Sequence, residues 1–144
     1  MIGLQVQHFL DRARDLLKGM EFLVREDSFI LHDDFVKFRF SPALLGIHCA
    51  ISYSDALRSG LGCTDVSSDD HQNAVKDLTT RLTSRRFEQH RGANHLQRLL
   101  SKKSRIAYAS EATREDEIED IVKRTTRFAE WAEEAGRTLK IEGW

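Results

Sequence analysis

A chain of 144 residues is long enough to form one domain with a core of its own, held by neither disulfides nor metals. With 40% hydrophobic residues, 31% charged residues and a net charge of −1, it has no bulk attraction toward nucleic acid or an anionic membrane. One proline and eight glycines are too few turn-formers for a β-sandwich of this size, so long helices are expected.

No apolar run approaches the roughly 18 residues of a membrane span. The opening MIGLQVQHFLDRAR lacks the basic start and small-residue cleavage site of an export signal, so a cytoplasmic protein is expected. Cys49 and Cys63 match no CxxC or CxxH pattern, which reads as two reduced thiols with Cys49 packed inside.

Along the chain, residues 4–24 place Val6, Phe9, Leu10, Ala13, Leu16, Leu17, Met20 and Leu23 at helical spacing. Asp11, Arg12, Arg14, Asp15 and Lys18 fall on the opposite face. Residues 25–41 change character, with four phenylalanines (Phe29, Phe35, Phe38, Phe40) interleaved with basic residues around His32-Asp33-Asp34. This insert reads either as two short extended segments or as an ordered loop laid across the bundle or a partner. Ser41-Pro42 predicts a helix start, serine as N-cap and proline at the first helical position. The helix that follows, to about Ser59, has so little polar surface that it should be central; Gly60 and Gly62 close it.

Ser67-Ser68-Asp69-Asp70 opens a third helix, whose buried stripe is Ala74, Val75, Leu78 and Leu82. The polar segment Arg85–Asn94 separates it from a fourth, with a break expected near Gly92. His95, Leu96, Leu99 and Leu100 begin that fourth stripe. Thr113, with Asp116 three residues on, forms a capping box for the last helix. Its buried face is Ile118, Ile121, Val122, Thr125, Phe128, Ala129, Ala132, Ala135 and Leu139. No repeat or linker divides residues 1–144, so the expectation is a single all-α domain, a bundle of four or five helices with a short aromatic insert after the first.

Chemistry-bearing residues are sparse. Arg81, Arg85, Arg86, Arg91, Arg98, Lys102, Lys103 and Arg105 occur with only Glu88 as an acid among them. If they converge they would hold phosphates; if not, they are solvated faces paired with the acidic run at 115–120. His90 and His95 stand five apart, one too many for two ligands on a helical turn, and no carboxylate completes a zinc set; no metal or cofactor is expected. Arg85 with His90 has the composition of a phosphate clamp and a general acid–base. His48, on the central helix, reads as a hydrogen-bonded core histidine, and His71 as part of a helix start. No phosphate loop, GxSxG elbow or HExxH is present.

The order of these pieces resembles the HEPN-domain family. Gly46-Ile47-His48-Cys49-Ala50-Ile51-Ser52-Tyr53-Ser54-Asp55-Ala56-Leu57 resembles its central helix, and Ser68-Asp69-Asp70-His71-Gln72-Asn73-Ala74-Val75 its next element. Leu99-Leu100-Ser101-Lys102-Lys103-Ser104-Arg105-Ile106-Ala107-Tyr108 is similar to the basic turn after its fourth helix, and Phe128-Ala129-Glu130-Trp131-Ala132 to its final helix. The resemblance covers about residues 42–139 and implies an up-and-down bundle that dimerises. Many members are metal-independent ribonucleases, often toxins encoded beside a nucleotidyltransferase antitoxin. In the family's arginine–polar–histidine motif, Lys103 stands for the arginine, Ser104 for the polar residue and Tyr108 for the histidine. Lysine lacks the guanidinium fork and tyrosine titrates near pH ~10, so the motif is degenerate. The resemblance therefore implies a non-catalytic binding or regulatory module, in which Arg98, Lys102, Lys103, Arg105 and Tyr108 contact a nucleotide, RNA or a partner protein. The alternative is a ribonuclease toxin using Arg85 and His90, or His95, in a dimer cleft. A third reading makes the aromatic insert a docking surface for another protein.

Overall fold

Among the described residues, apolar side chains repeating every three to four residues close into five helices. The computed structural model describes residues 1–27, 40–66, 70–108 and 115–144. Its helices are α1 (Ile2–Asp27), α2 (Phe40–Gly60), α3 (His71–Ser84), α4 (Arg91–Tyr108) and α5 (Glu115–Thr138), and the described residues contain no strand. The all-α bundle expected from the sequence is what forms. The aromatic stretch 28–39, Ser67–Asp69 and the Thr113 cap lie outside the described residues, as do the side chains of His71, Ser104 and Tyr108.

α2 is the centre, in contact with all four other helices and most extensively with α1 and α5. Its small residues let the neighbours approach: Ala43, Ala50 and Ala56 are fully buried beside Ile47, Tyr53 and Leu57. The stripes read from the sequence meet it from each side, with Leu10 and Met20 from α1, Leu78 and Leu82 from α3, Leu96 and Leu99 from α4, and Ile121 and Phe128 from α5. Each such side chain contributes roughly 1.5–3 kcal/mol through burial. Cys49 is sealed in this core, and burial pushes its thiol up to about 12, so it stays protonated. His48 is half-buried, not fully in the core. No described helix is long and apolar enough to cross a membrane.

Helix ends show where local chemistry acts. α2 begins at Phe40, two residues before the expected first helical position at Pro42, so Ser41 lies inside the first turn and is not the cap. Pro42 is still tolerated, because its missing N–H falls among the first four, which have no partner within a helix. Asp70 caps α3, its Oδ1 accepting from the Asn73 backbone N–H at 2.8 Å.

Three helices end in the same way. Cys63 N donates to Arg58 O at 2.9 Å, Phe87 N to Leu82 O at 2.9 Å, and Ile141 N to Gly136 O at 3.1 Å. Each is the six-to-one bond of a Schellman motif, and each donor residue is buried. The residue before it must be left-handed: Gly62 has φ 100°, but Arg86 and Lys140 adopt φ 59° and 52° with side chains attached.

The break expected near Gly92 falls at residues 85–90, within the polar segment, and Gly92 itself lies in the first turn of α4. It is there for space: a Cβ would overlap the Trp131 indole of α5. Trp131 Nε1 also donates to Gln89 O at 2.8 Å, which ties the α3–α4 turn to α5. At the other end Trp144 sits on Gly136 in the same manner, folding the tail back over the bundle.

Candidate anion-binding site

Ionic clusters fall into two kinds, closed and open. Glu133 on α5 is closed. Arg14 grips its carboxylate with two bonds, Nε to Oε1 at 2.7 Å and Nη2 to Oε2 at 2.9 Å. Tyr53 Oη donates at 2.9 Å and Trp144 Nε1 at 3.1 Å. Burial raises the carboxyl's affinity for a proton, but these bonds outweigh it and Glu133 titrates below its usual range.

Arg58 is closed as well, although it is fully buried. Its Nε reaches Asp77 at 2.8 Å, and Asp77 in turn accepts from Arg81 Nε at 2.9 Å. Asp55 lies 3.6 Å from Arg58 Nη1. The two aspartates respond oppositely. Burial works against both, yet Asp77 is held low by close bonds from Arg58 and Arg81, while Asp55, lacking such a bond, rises to about 6. In these clusters donors and carboxylates are matched to one another, and they join elements.

α4 carries the open one. Arg91, Arg98 and Arg105 recur every seven residues, which puts them on one exposed ridge about 10.5 Å apart. Arg91 and Arg98 are exposed, and neither meets a carboxylate within ion-pair distance among the described residues. His95, one turn after Arg91, turns toward α5, where Arg124 Nη1 lies 3.4 Å from its Nδ1. A guanidinium only donates, so Nδ1 is the acceptor and the ring is neutral, with its proton on Nε2. Burial, then the guanidinium groups of Arg124 and Arg127, hold His95 below the ordinary imidazole range, against a weaker pull from Asp120. A cleft of about 360 Å³ opens beside the ring, lined by Arg91, His95, Arg127, Glu130, Trp131 and Glu134. Arg98 borders a second depression on the ridge with Asn94, Gln97 and Ser101.

The residues singled out from the sequence are scattered with respect to this site. Arg98 lies within it. Lys102 is drawn to Asp120 at 3.3 Å and Arg105 to Glu117 at 3.0 Å, so part of the basic run does pair with the acids of α5. Lys103 is half-buried on α4, and Tyr108 ends the helix. Arg85 Nη2 donates to Leu139 O at 3.5 Å, and His90 Nε2 to Phe87 O at 2.8 Å. Each of these two is thus turned to a separate backbone carbonyl. Arg81 belongs to the Asp77 cluster.

The sequence marked Arg91 only as a member of a basic run and His95 only as a stand-in for His90 in a ribonuclease cleft, and it did not point to Arg124 and Arg127. The heptad spacing of Arg91, Arg98 and Arg105 was a usable signal. Arg124 and Arg127, three apart on the margin of the α5 stripe, were another. A larger groove of about 670 Å³ between α3 and α4 is lined by Asp70, Gln72, Val75, Lys76, Gln97, Leu100 and Ser101. Its charged groups, one aspartate and one lysine, do not converge on an anion. Among the described residues no three histidine, cysteine or acidic side chains form a metal-holding group. No protein-family model, no curated protein and no solved structure matches this chain.

Proposed function

We propose that this chain is a non-catalytic, HEPN-like helical binding module that holds the phosphates of an RNA or nucleotide against the exposed ridge of α4. The supporting observation is the arginine row, with Arg91 and Arg98 in no ion pair among the described residues and Arg127 lining the same cleft as Arg91 from α5. Guanidinium forks on a rigid helix suit phosphate oxygens better than mobile lysines do. Lys102, Lys103, Arg105 and Tyr108 extend the same helix and would flank the ligand. From the resemblance, the module acts as a homodimer in a toxin–antitoxin or nucleotidyltransferase-linked pair, and its lone thiols favour the cytoplasm.

Binding of a labelled short oligouridylate, followed by fluorescence anisotropy across a salt series, tests this. The wild type should bind with a log–log salt slope of about −0.7 for each phosphate held. Arg91→Ala with Arg98→Ala should weaken binding at every salt concentration and flatten that slope by between one and two contacts. Unchanged affinity and slope in the double variant would remove the ridge as the binding face.

One observation favours a second reading, a metal-independent ribonuclease: a neutral imidazole kept among guanidiniums is what a general base beside a phosphate requires. Incubating a mixed RNA pool with the protein in EDTA separates the two. Cleavage that disappears in His95→Ala supports the enzyme; intact RNA with a folded protein supports the module.

A further inference from the structure

We propose that the cleft between α4 and α5 seats one phosphate of this ligand, and that His95 takes up a proton from solvent as the phosphate enters. The inference rests on the ridge reading and adds a proton to it. Two features of the geometry carry it. The first is convergence: Arg91 precedes His95 by one turn of α4, and Arg127 reaches the same cleft from α5. The second is the ring's orientation. Its Nδ1 is turned to Arg124, whose Nε is already tied to Asp120 at 2.8 Å.

Burial first, and then the charges facing the ring, explain why the free protein keeps it neutral. On α4 these charges are Arg91 and Arg98; on α5 they are Arg124 and Arg127, opposed by Asp120 and by Glu130 and Glu134, which line the same cleft from the helix that carries Arg127. Cations nearest the ring disfavour a further positive charge. A phosphate held between Arg91 and Arg127 would reverse that balance. Its negative charge offsets the two guanidiniums and gives an imidazolium N–H an acceptor. Arg124 can stay on Asp120 while the ring turns. The neutral ring plus one proton becomes imidazolium, and nothing else changes hands.

Because the bound form of His95 then titrates above the free form, affinity grows as pH falls through the bound value and levels off below the free one. Each unit of separation makes binding tenfold tighter. The probes are a short oligouridylate without terminal phosphates and inorganic sulfate, neither of which changes charge between pH 5 and 8. We expect the oligouridylate to bind about tenfold more tightly at pH 5.5 than at pH 8, the change that one unit produces. His95→Gln, neutral throughout, should bind with little pH dependence. In proton NMR, the His95 ring resonance should move its midpoint upward when the wild type is saturated with sulfate; the same variant assigns that resonance. Binding that is flat with pH, with the His95 midpoint unmoved, would overturn the inference and leave the ridge intact. Failure of the oligouridylate to bind at any pH would overturn both.

Discussion

Glu133 gathers Arg14 from α1, Tyr53 from α2, Arg137 from its own helix and Trp144 from the tail, and each lends it a donor. The α4 ridge also gathers arginines, yet Arg91 and Arg98 meet no carboxylate among the described residues. The same residue type therefore serves two ends. Where acceptor and donors balance, the cluster pins elements together. Where cations exceed acceptors on an exposed face, the remaining charge is available to an anion from outside. Burial separates the cases too, because an unmatched charge can persist at the surface but not in the interior.

The largest expected effect tests that separation by stability. Arg58 is fully buried among Asp77, Asp55, the Val66 carbonyl and Cys63. Arg58→Ala opens a cavity and strips partners from Asp77, so a loss of about 3–5 kcal/mol is expected. Arg98→Ala on the ridge should stay within about 0.5 kcal/mol of the wild type, as exposed substitutions do. Urea denaturation read by circular dichroism gives both values. Comparable losses in the two variants would mean that the ridge, too, is part of the scaffold.

A smaller effect sharpens the comparison within the closed cluster itself. Asp55 titrates at about 6, above its ordinary 3.8, so folding favours its protonated form. Its charge therefore weakens the fold above pH 6, and that penalty fades as pH falls through 6 toward 4. Asp55→Asn should stabilise the protein by about 1–2 kcal/mol at pH 7.5 and by almost nothing near pH 4. The ceiling is lowered because the contact with Arg58 is weakened in the variant. Asp77, Asp120 and Glu133 are shifted the other way, so their contribution is present above the ordinary carboxylate range and is lost as pH falls below it. A variant that gains nothing at pH 7.5 would show that the Arg58 contact outweighs the burial of Asp55.

The five helices were legible because burial imposes a period of 3.6, which Val6, Leu10, Ala13 and Met20, or Ile121, Thr125, Phe128 and Ala132, display without help from distant residues. The closed clusters were not, since Arg14 and Glu133 lie 119 residues apart and nothing local marks them as partners. The spacing role of Gly92 was hidden for a related reason. A glycine that breaks a helix and one that makes room for a tryptophan look alike until Trp131 is placed beside it. At the site, the basic run was visible, but its division was not. Lys102 and Arg105 lean toward Asp120 and Glu117 across a seam that no spacing rule predicts, leaving Arg91 and Arg98 as the open pair. Arg124 and Arg127 complete the surroundings of His95 only because α5 packs along α4.

The smallest effect comes from the helix ends that join these regions. Gly62 fills its left-handed position at no steric cost, whereas Arg86 and Lys140 fill theirs with φ 59° and 52°. A side chain there is disfavoured by roughly 1–2 kcal/mol. It persists because the following residues, Phe87 and Ile141, are buried and hold the turn closed. Replacement by glycine removes that strain but gives the unfolded chain more freedom, which returns about 0.4–1 kcal/mol to the unfolded state. Arg86→Gly and Lys140→Gly should therefore each stabilise the fold by about 0.5 kcal/mol, the difference of these two effects, with a melting temperature raised by about one to two degrees. Since Arg86 lies outside the ridge, its loss should leave the salt slope for oligouridylate unchanged while Arg91→Ala lowers it. A drop in slope for Arg86→Gly would widen the open region to the α3–α4 turn and remove the boundary drawn here between scaffold cations and ligand cations.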